Sequence, residues 1–454
     1  MSIQFLIHQR ATTTILFALI GLALSSSLLA TNDPFNLWIN RSEGVAIHKI
    51  VQNSSKPDAL PGTIVASPSR SHPDYYFHWT RDASLTALTM VRMLESDRYD
   101  DQKSWLLNTL KSFALLSRQH QQTPSQGGFG EPKFYVNGEP FTGPWGRPQN
   151  DGPALRSLAM TRFANILLDN GFESFVRSVL YDNQYPSKSV IKSDLEYLSL
   201  NWHLDDFDLW EEVRGQHLFT RVSQAKAFEE GSDLAMTLGD PEAAFWYRMQ
   251  AGKIRATLQN FGHAQSGLVL TTINRSGGIN YKSGLDASLL LAILIESQSG
   301  ALIGLNTEWT DHTISELKRQ FIDLYAVNHL GTESPGIAMG RYPEDTYDGY
   351  QTGQVGNPWF ILTLALGEYH FLKAKALCAF MSDANNTALI SDHLKKGNAQ
   401  LQRVRQHQDS EFRMDEQFNR HHGYMQGARD LTWSYTSLIN TILSRSEAYQ
   451  ACNI

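Results

Sequence analysis

Six apolar helical runs recur along this chain at nearly constant spacing, and that recurrence limits the fold more than any other feature. They are "SLTALTMVRML", "PALRSLAMTRFANILL", "QHLFTRVSQAKAF", "ASLLLAILI", "PWFILTLALGEYHFL" and "DLTWSYTSLINTIL". Their starts fall near Asp82, Pro153, Gln216, Asp286, Pro358 and Asp430, with gaps of 71, 63, 70, 72 and 72 residues. Within each run apolar residues return every three or four positions, the period of a helix. More polar helical stretches lie between them, such as "EAAFWYRMQAGKIRATL" and "EWTDHTISELKRQFIDLYA". Six inner helices ringed by outer ones form a closed all-α toroid, in which every apolar helix has neighbours on both sides. No sequence identity accompanies the period, so it speaks to topology more than to a repeated motif.

Five of the six starts follow an unusual loop. These loops read "PDYYFHWTRD", "WGRPQNDGP", "DLWEEVRG", "RYPEDTYDGYQTGQVGNP" and "DEQFNRHHGYMQGARD". All are dense in charge, and Trp residues lie in or beside four of them. A ring of helices gathers such loops at one end, where a rigid scaffold holds them as a binding crater.

The 454 residues include 39 basic and 46 acidic side chains, a formal charge of −7. With no clustered Lys/Arg stripe, this balance argues against a nucleic-acid partner. Ten Trp and 17 Tyr serve either a large core or aromatic platforms for a ligand. At the N-terminus, Arg10 precedes the apolar run Ile15 to Leu24, then "SSSLLA" and polar "TNDPF". This reads as a secretory signal over residues 1–30, cleaved after Ser27 or Ala30. Its apolar core is short for a membrane span. Residues 31–454 then form a single exported domain, with no membrane after signal removal and nothing that demands more than a monomer. Cys378 and Cys452 are the only cysteines; one bridge is compatible with export, but spacing does not decide it. Sequons begin at Asn40, Asn53, Asn274 and Asn385.

In "DLWEEVRG" the adjacent Glu211 and Glu212 point in different directions, so one at most occupies a given catalytic spot. Burial beside another carboxylate suits a proton donor, whereas acids at a helix N-terminus also simply favour its dipole. Glycoside hydrolysis needs a second carboxylate. Glu344, Asp345, Asp348, Asp415, Glu416 and Asp430 are all candidates, and spacing does not choose among them. Arg81, Arg147, Arg341 and Arg429 beside Trp favour a neutral, polyhydroxylated ligand over a phosphorylated one. "DDFD" departs from the Asp-rich magnesium motif of isoprenoid enzymes, since Leu209 stands where its third acid belongs. "HHG" at His421 and His422 lacks the spacing of a metal-binding helical pair. No G-x-S-x-G elbow or phosphate-cradling loop is present.

Taken in order, "HPDYYFHWTRDASLT", "GEPKFYVNG…GPWGRPQNDGPALRS", "DLWEEVRGQHLFT", "GRYPEDTYDGY…GNPWF" and "DEQFNRHHGYMQGARDLTWSY" resemble the glucoamylases of glycoside hydrolase family 15. The likeness covers roughly residues 60 to 445 and is nearest to fungal and yeast-type members. It implies an (α/α)6 barrel, in agreement with the spacing of the apolar runs. By resemblance Glu211 is the general acid and Glu416 the general base. Glu212 is a substrate-binding carboxylate and Asp208 supports the acid's environment. Tyr75 lies beside the scissile bond, Trp79 supports the pocket, and Arg81 with Asp82 grips the terminal glucose. Trp145 packs near the acid, while Leu209 and Trp210 give backbone and pocket contacts, Trp210 excluding water there. Arg341 binds sugar hydroxyls, and Trp359 is a platform for the next glucose. An inverting mechanism expects the two carboxyls about 6.5–9.5 Å apart.

No cofactor and no metal are expected, since calcium, which some relatives carry, has no visible loop here, and the resemblance implies an α-glucan as the partner. Asp415 stands where the family often has Ser, a charge expected to raise the base's pKa. With Ile454 as the last residue, a catalytic domain without a starch-binding domain is expected. Alternatives are a hydrolase of isomaltodextrin or trehalose, or a non-catalytic glucan-binding or regulatory domain.

Overall fold

The computed structural model describes residues 33–296, 307–330, 336–379 and 384–454; the signal expected at 1–30 lies outside them. Described residues 33–45 belong to one compact unit and those from Ala46 onward to another. Helix α1 spans Pro34–Asn53. The second unit holds α2 (Thr80–Leu94), α3 (Lys103–Gln122), α4 (Asp151–Asp169), α5 (Val190–Asn201), α6 (Leu218–Thr237) and α7 (Pro241–Thr257). It continues with α8 (Ser288–Glu296), α9 (Glu308–Leu324), α10 (Phe360–Cys378), α11 (Ala384–His407) and α12 (Thr432–Ala451). Among the described residues no helix is long and apolar enough to cross a membrane.

The inner ring closes on itself: α2 packs on α4, α4 on α6, α6 on α8, α8 on α10, α10 on α12, and α12 on α2. This is the expected (α/α)6 barrel, and each inner helix begins within two residues of the start read from the sequence. Burial separates the two layers. Nearly the whole of α10 is buried, whereas outer α9 buries Thr310, Thr313, Ile314, Leu317 and Phe321, one stripe at helical spacing. At the end of α1, Lys49 pairs with Asp430 at 2.9 Å and Asn53 Nδ2 donates to Thr432 Oγ1 at 2.9 Å. Asn53 is therefore buried, and its sequon is not presented for glycosylation.

Helix entrances explain where the loops gather. Outer α7 starts conventionally, with Asp240 accepting from the backbone N–H of Ala243 and Pro241 in the first turn. The residues before α2, α4, α6, α10 and α12 are Trp79, Asn150, His217, Trp359 and Leu431, and none makes a side-chain cap. Two-stranded ladders and bridges hold several of these entrances instead. His78–Trp79 pairs with Lys133–Phe134, Gln417–Phe418 with Met425–Gln426, and Trp359 bridges Gln417. Capping worth about 1 kcal/mol per helix is given up there, and two of the positions carry indoles that face the site.

Candidate active site

The hairpin that presents Asp208 to Glu212 stands on Asp206–Phe207 paired with Val213–His217, a ladder widened by Thr272–Gly278. Asp208 Oδ1 accepts the backbone N–H of Glu212 at 2.7 Å and of Val213 at 2.8 Å, which fixes the turn. Its other oxygen lies 3.2 Å from Lys282 Nζ. Burial pushes Asp208 upward, but Lys282, His217 and the two N–H groups hold it below its ordinary value. Glu211 sits at φ 67°, a left-handed conformation that a side chain rarely adopts.

That backbone twist sends the two adjacent glutamates into different surroundings. Glu211 Oε1 accepts from Trp79 Nε1 at 2.9 Å and from Gln149 Nε2 at 3.1 Å, with Arg81 at 3.5 Å. Glu212 instead accepts from Arg341 at 2.8 Å and from the Tyr342 hydroxyl at 2.7 Å. Burial raises the Glu212 carboxyl against the pull of Arg341 and Lys282. Arg341 is itself buried and locked by both oxygens of Asp345, at 2.8 and 2.6 Å.

The first turn of α2 supplies Arg81 and Asp82. Arg81 donates to Gln149 at 2.9 Å and Asp151 at 3.1 Å, which leaves its Nε without a hydrogen-bond partner among the described residues. Burial pushes Asp82 up to about 6, with Arg81 opposing.

Glu416 is 1% exposed. Tyr347 donates to its Oε2 at 3.3 Å, and the Tyr75 hydroxyl lies 2.9 Å from that of Tyr347. Burial drives Glu416 up to about 8, against Tyr75, Arg341, the Ala428 backbone and Tyr347. The neighbouring Asp415 turns elsewhere, its Oδ1 accepting the backbone N–H of Asp430 at 3.2 Å. Gly427, at φ 81°, passes so close that a Cβ there would meet Glu416 Oε2 at 2.5 Å. Any side chain at that position would displace the carboxylate.

Twelve of the thirteen expected site residues line one cavity of about 350 Å³: Tyr75, Trp79, Arg81, Asp82, Trp145, Leu209, Trp210, Glu211, Glu212, Arg341, Trp359 and Glu416. Asp208 lies behind the wall, supporting the turn. The indole that touches Glu211 is Trp79; Trp210 faces the other way, donating to Asp286 at 3.0 Å and packing 5.7 Å from Trp359. Buried Trp359 Nε1 has no hydrogen-bond partner among the described residues. Sequence reasoning missed Tyr347 and Trp433 on the cavity wall, and Gln149, Asp151 and Lys282 beside it. Gln149, Asp151 and Tyr347 lay inside motifs already singled out, while Lys282 had no local signal.

Comparison with known proteins places the chain in a family. The profile of the glycosyl hydrolases family 15 matches residues 44–443. The chain is 34% identical to a glucoamylase of Blastobotrys adeninivorans, over 92% of this chain and 73% of that protein. It is 33% identical to a probable glucoamylase of Schizosaccharomyces pombe, over 95% of this chain and 97% of that one. Among solved structures, the glucoamylase of Saccharomycopsis fibuligera superposes with a TM-score of 0.82 at 28% identity, covering 92% of this chain and 96% of its own. With its sequence and its barrel both matching, this chain belongs to the glycosyl hydrolases family 15.

Proposed function

We propose that the protein is an exo-acting, inverting glucoamylase that releases β-glucose from non-reducing ends of α-1,4-glucans such as soluble starch, glycogen and maltooligosaccharides. The observation that carries this reading is the convergence of Glu211 and Glu416, held by different partners, on a single cavity walled by indoles and arginines. Two buried donors in that wall, Arg81 Nε and Trp359 Nε1, suit a ligand rich in hydroxyls.

On this reading Glu211 gives its proton to the glycosidic oxygen as the C1–O bond breaks. Glu416 takes a proton from water on the opposite face, and the water oxygen bonds to C1. The sugar leaves inverted, the shortened glucan leaves as an alcohol, and proton exchange with solvent resets both carboxyls. Arg81 with Asp82 and Glu212 with Arg341 hold the terminal sugar, and Trp359 offers its face to the next unit. Tyr75 and Tyr347 steady the base, and Asp208 holds the turn that aims the acid. Burial of Glu416 makes it a strong proton acceptor once ionised. The same burial would suit a proton donor, so the assignment of base to Glu416 leans on its place in the family motif. Export through the signal read at residues 1–30 and action as a monomer complete the proposal.

Early products from maltotetraose, followed by proton NMR, test the stereochemistry. β-Glucose from the wild type, absent in Glu211→Gln and Glu416→Gln, is expected; early α-glucose overturns inversion, and no glucose from any α-glucan favours a binding module. α-D-Glucosyl fluoride, whose leaving group needs little protonation, then sorts the roles. Glu211→Gln should still hydrolyse it and Glu416→Gln should not; the opposite pattern exchanges acid and base.

A further inference from the structure

Directly across the short ladder from Trp79 stands Lys133. Its side chain is among the most deeply buried cations of the described residues, 2% exposed, and it forms no ion pair among them. Aromatic faces surround it instead. Its Nζ lies 3.3 Å from the ring centre of Trp145, 4.2 Å from Phe141, 4.3 Å from Trp79 and 4.6 Å from Phe77. The rings meet edge to face, Trp79 with Trp145 at 6.2 Å and Phe77 with Phe141 at 5.5 Å. Such packing turns their negative faces toward one cation. Two of these indoles line the cavity, and one of them, Trp79, is the donor to Glu211.

We propose that Lys133 is a positioning residue for proton transfer from Glu211: it braces the Trp79 and Trp145 indoles beside the carboxyl and supplies a positive charge within its electrostatic reach. The inference rests on the reading of Glu211 as the proton donor. Burial lowers Lys133 to about 8, and among the charges acting on it Glu211 comes first, ahead of Asp74, Arg147 and Glu131. The interaction is mutual. Arg81, Asp82 and Asp151 also interact with Glu211.

Lys133→Met and Lys133→Arg, assayed on maltose and on α-D-glucosyl fluoride, test the assignment. Lys133→Met should lower kcat on maltose roughly 10–100-fold, part of the ~10²–10⁴-fold that general acid catalysis supplies. KM on maltose and kcat on the fluoride should change by less than about threefold, the mark of a defect confined to one transition state. Lys133→Arg, which keeps a cation among the rings, should recover most of the maltose rate. Equal losses on both substrates in Lys133→Met, wild-type rates in that variant, or no recovery in Lys133→Arg would overturn the proposal. If near-UV circular dichroism shows that Lys133→Met is unfolded, Lys133→Gln takes its place in the same assays: a maltose deficit that spares the fluoride supports the role, and any other pattern overturns it. Glu211→Gln in the same assays separates the two readings, because equal loss there on both substrates defeats the acid assignment whatever the Lys133 variants do.

Discussion

Lys282 Nζ lies 3.2 Å from Asp208 Oδ2, with both side chains 3% exposed. The same ammonium is 3.0 Å from Asp286, which accepts from the Trp210 indole. One buried cation thus ties the turn carrying Glu211 to the entrance of α8. Breaking a buried pair by removing one partner costs about 3–5 kcal/mol, because the remaining charge stays desolvated. Lys282→Met should therefore destabilise by that order in urea titrations. Adding Asp208→Asn should cost much less than a second such loss, since the stranded charge disappears. Simple additivity of the two variants would show that the pair does not couple.

Glu416 makes stability depend on pH in a direction that can be worked out. Burial raises its pKa from the ordinary 4.5 to about 8, so between those values the folded chain binds more protons than the unfolded one. Stability from this group is full below 4.5 and declines as pH rises toward 8. Glutamine carries no such cost. The melting temperature of Glu416→Gln, minus that of the wild type, should grow steadily across this window in calorimetric scans. A difference that stays flat with pH would mean that Glu416 is not the group responsible.

The ring was legible because an enclosed helix must be apolar on nearly every side, a property written along one dimension. α10 shows it plainly, from Phe360 to Ala374. The entrances were legible only to within two residues, because site residues stand where caps would. Asp286 was read as a helix start, yet it accepts both the Ser288 backbone N–H at 2.7 Å and the Trp210 indole. Adjacent Glu211 and Glu212 had to diverge, but no local rule announced the left-handed backbone at Glu211 that parts them. Lys282 stayed invisible for a different reason: its partner Asp208 is 74 residues away, and an isolated lysine near a glycine looks like solvated loop. Lys133 lay inside a quoted motif and still passed unnoticed, because its aromatic partners come together only when the ladder forms.

Arg341 grips Asp345 with two nitrogens and reaches Glu212 with one of them, at 2.8 Å. A lysine keeps the charge but not the planar fork, so it cannot serve both carboxylates in this geometry. Arg341→Lys should lower kcat/KM on maltose roughly 10–100-fold, the equivalent of one charge-assisted hydrogen bond of about 1.5–3 kcal/mol. The deficit should be present at acid pH, where both cations are charged, so it reports lost geometry and not lost charge. Near-wild-type kcat/KM would mean that Glu212 holds its place through Tyr342 alone.

Cys378 and Cys452 form a disulfide with Cα atoms 5.2 Å apart, joining the end of α10 to the residue after α12. Spacing did not decide this pairing; the antiparallel return of the chain through α11 does, by bringing the ends of two neighbouring inner helices together. A bridge across 74 residues removes about 4 kcal/mol of unfolded-chain entropy in the loop-closure picture. The denatured, unreduced protein should show no thiol reactive with Ellman's reagent, and two after reduction. Cys378→Ser with Cys452→Ser should lower the melting temperature and reduce the unfolding free energy from urea titration by an amount approaching that figure. The same bridge bears on export, since disulfides persist in oxidising compartments. A chain lacking residues 1–30 and kept in a reducing cytoplasm should carry two free thiols and melt like the double-serine variant. Equal stability of the cytoplasmic and exported forms would separate the bridge from the proposed route out of the cell.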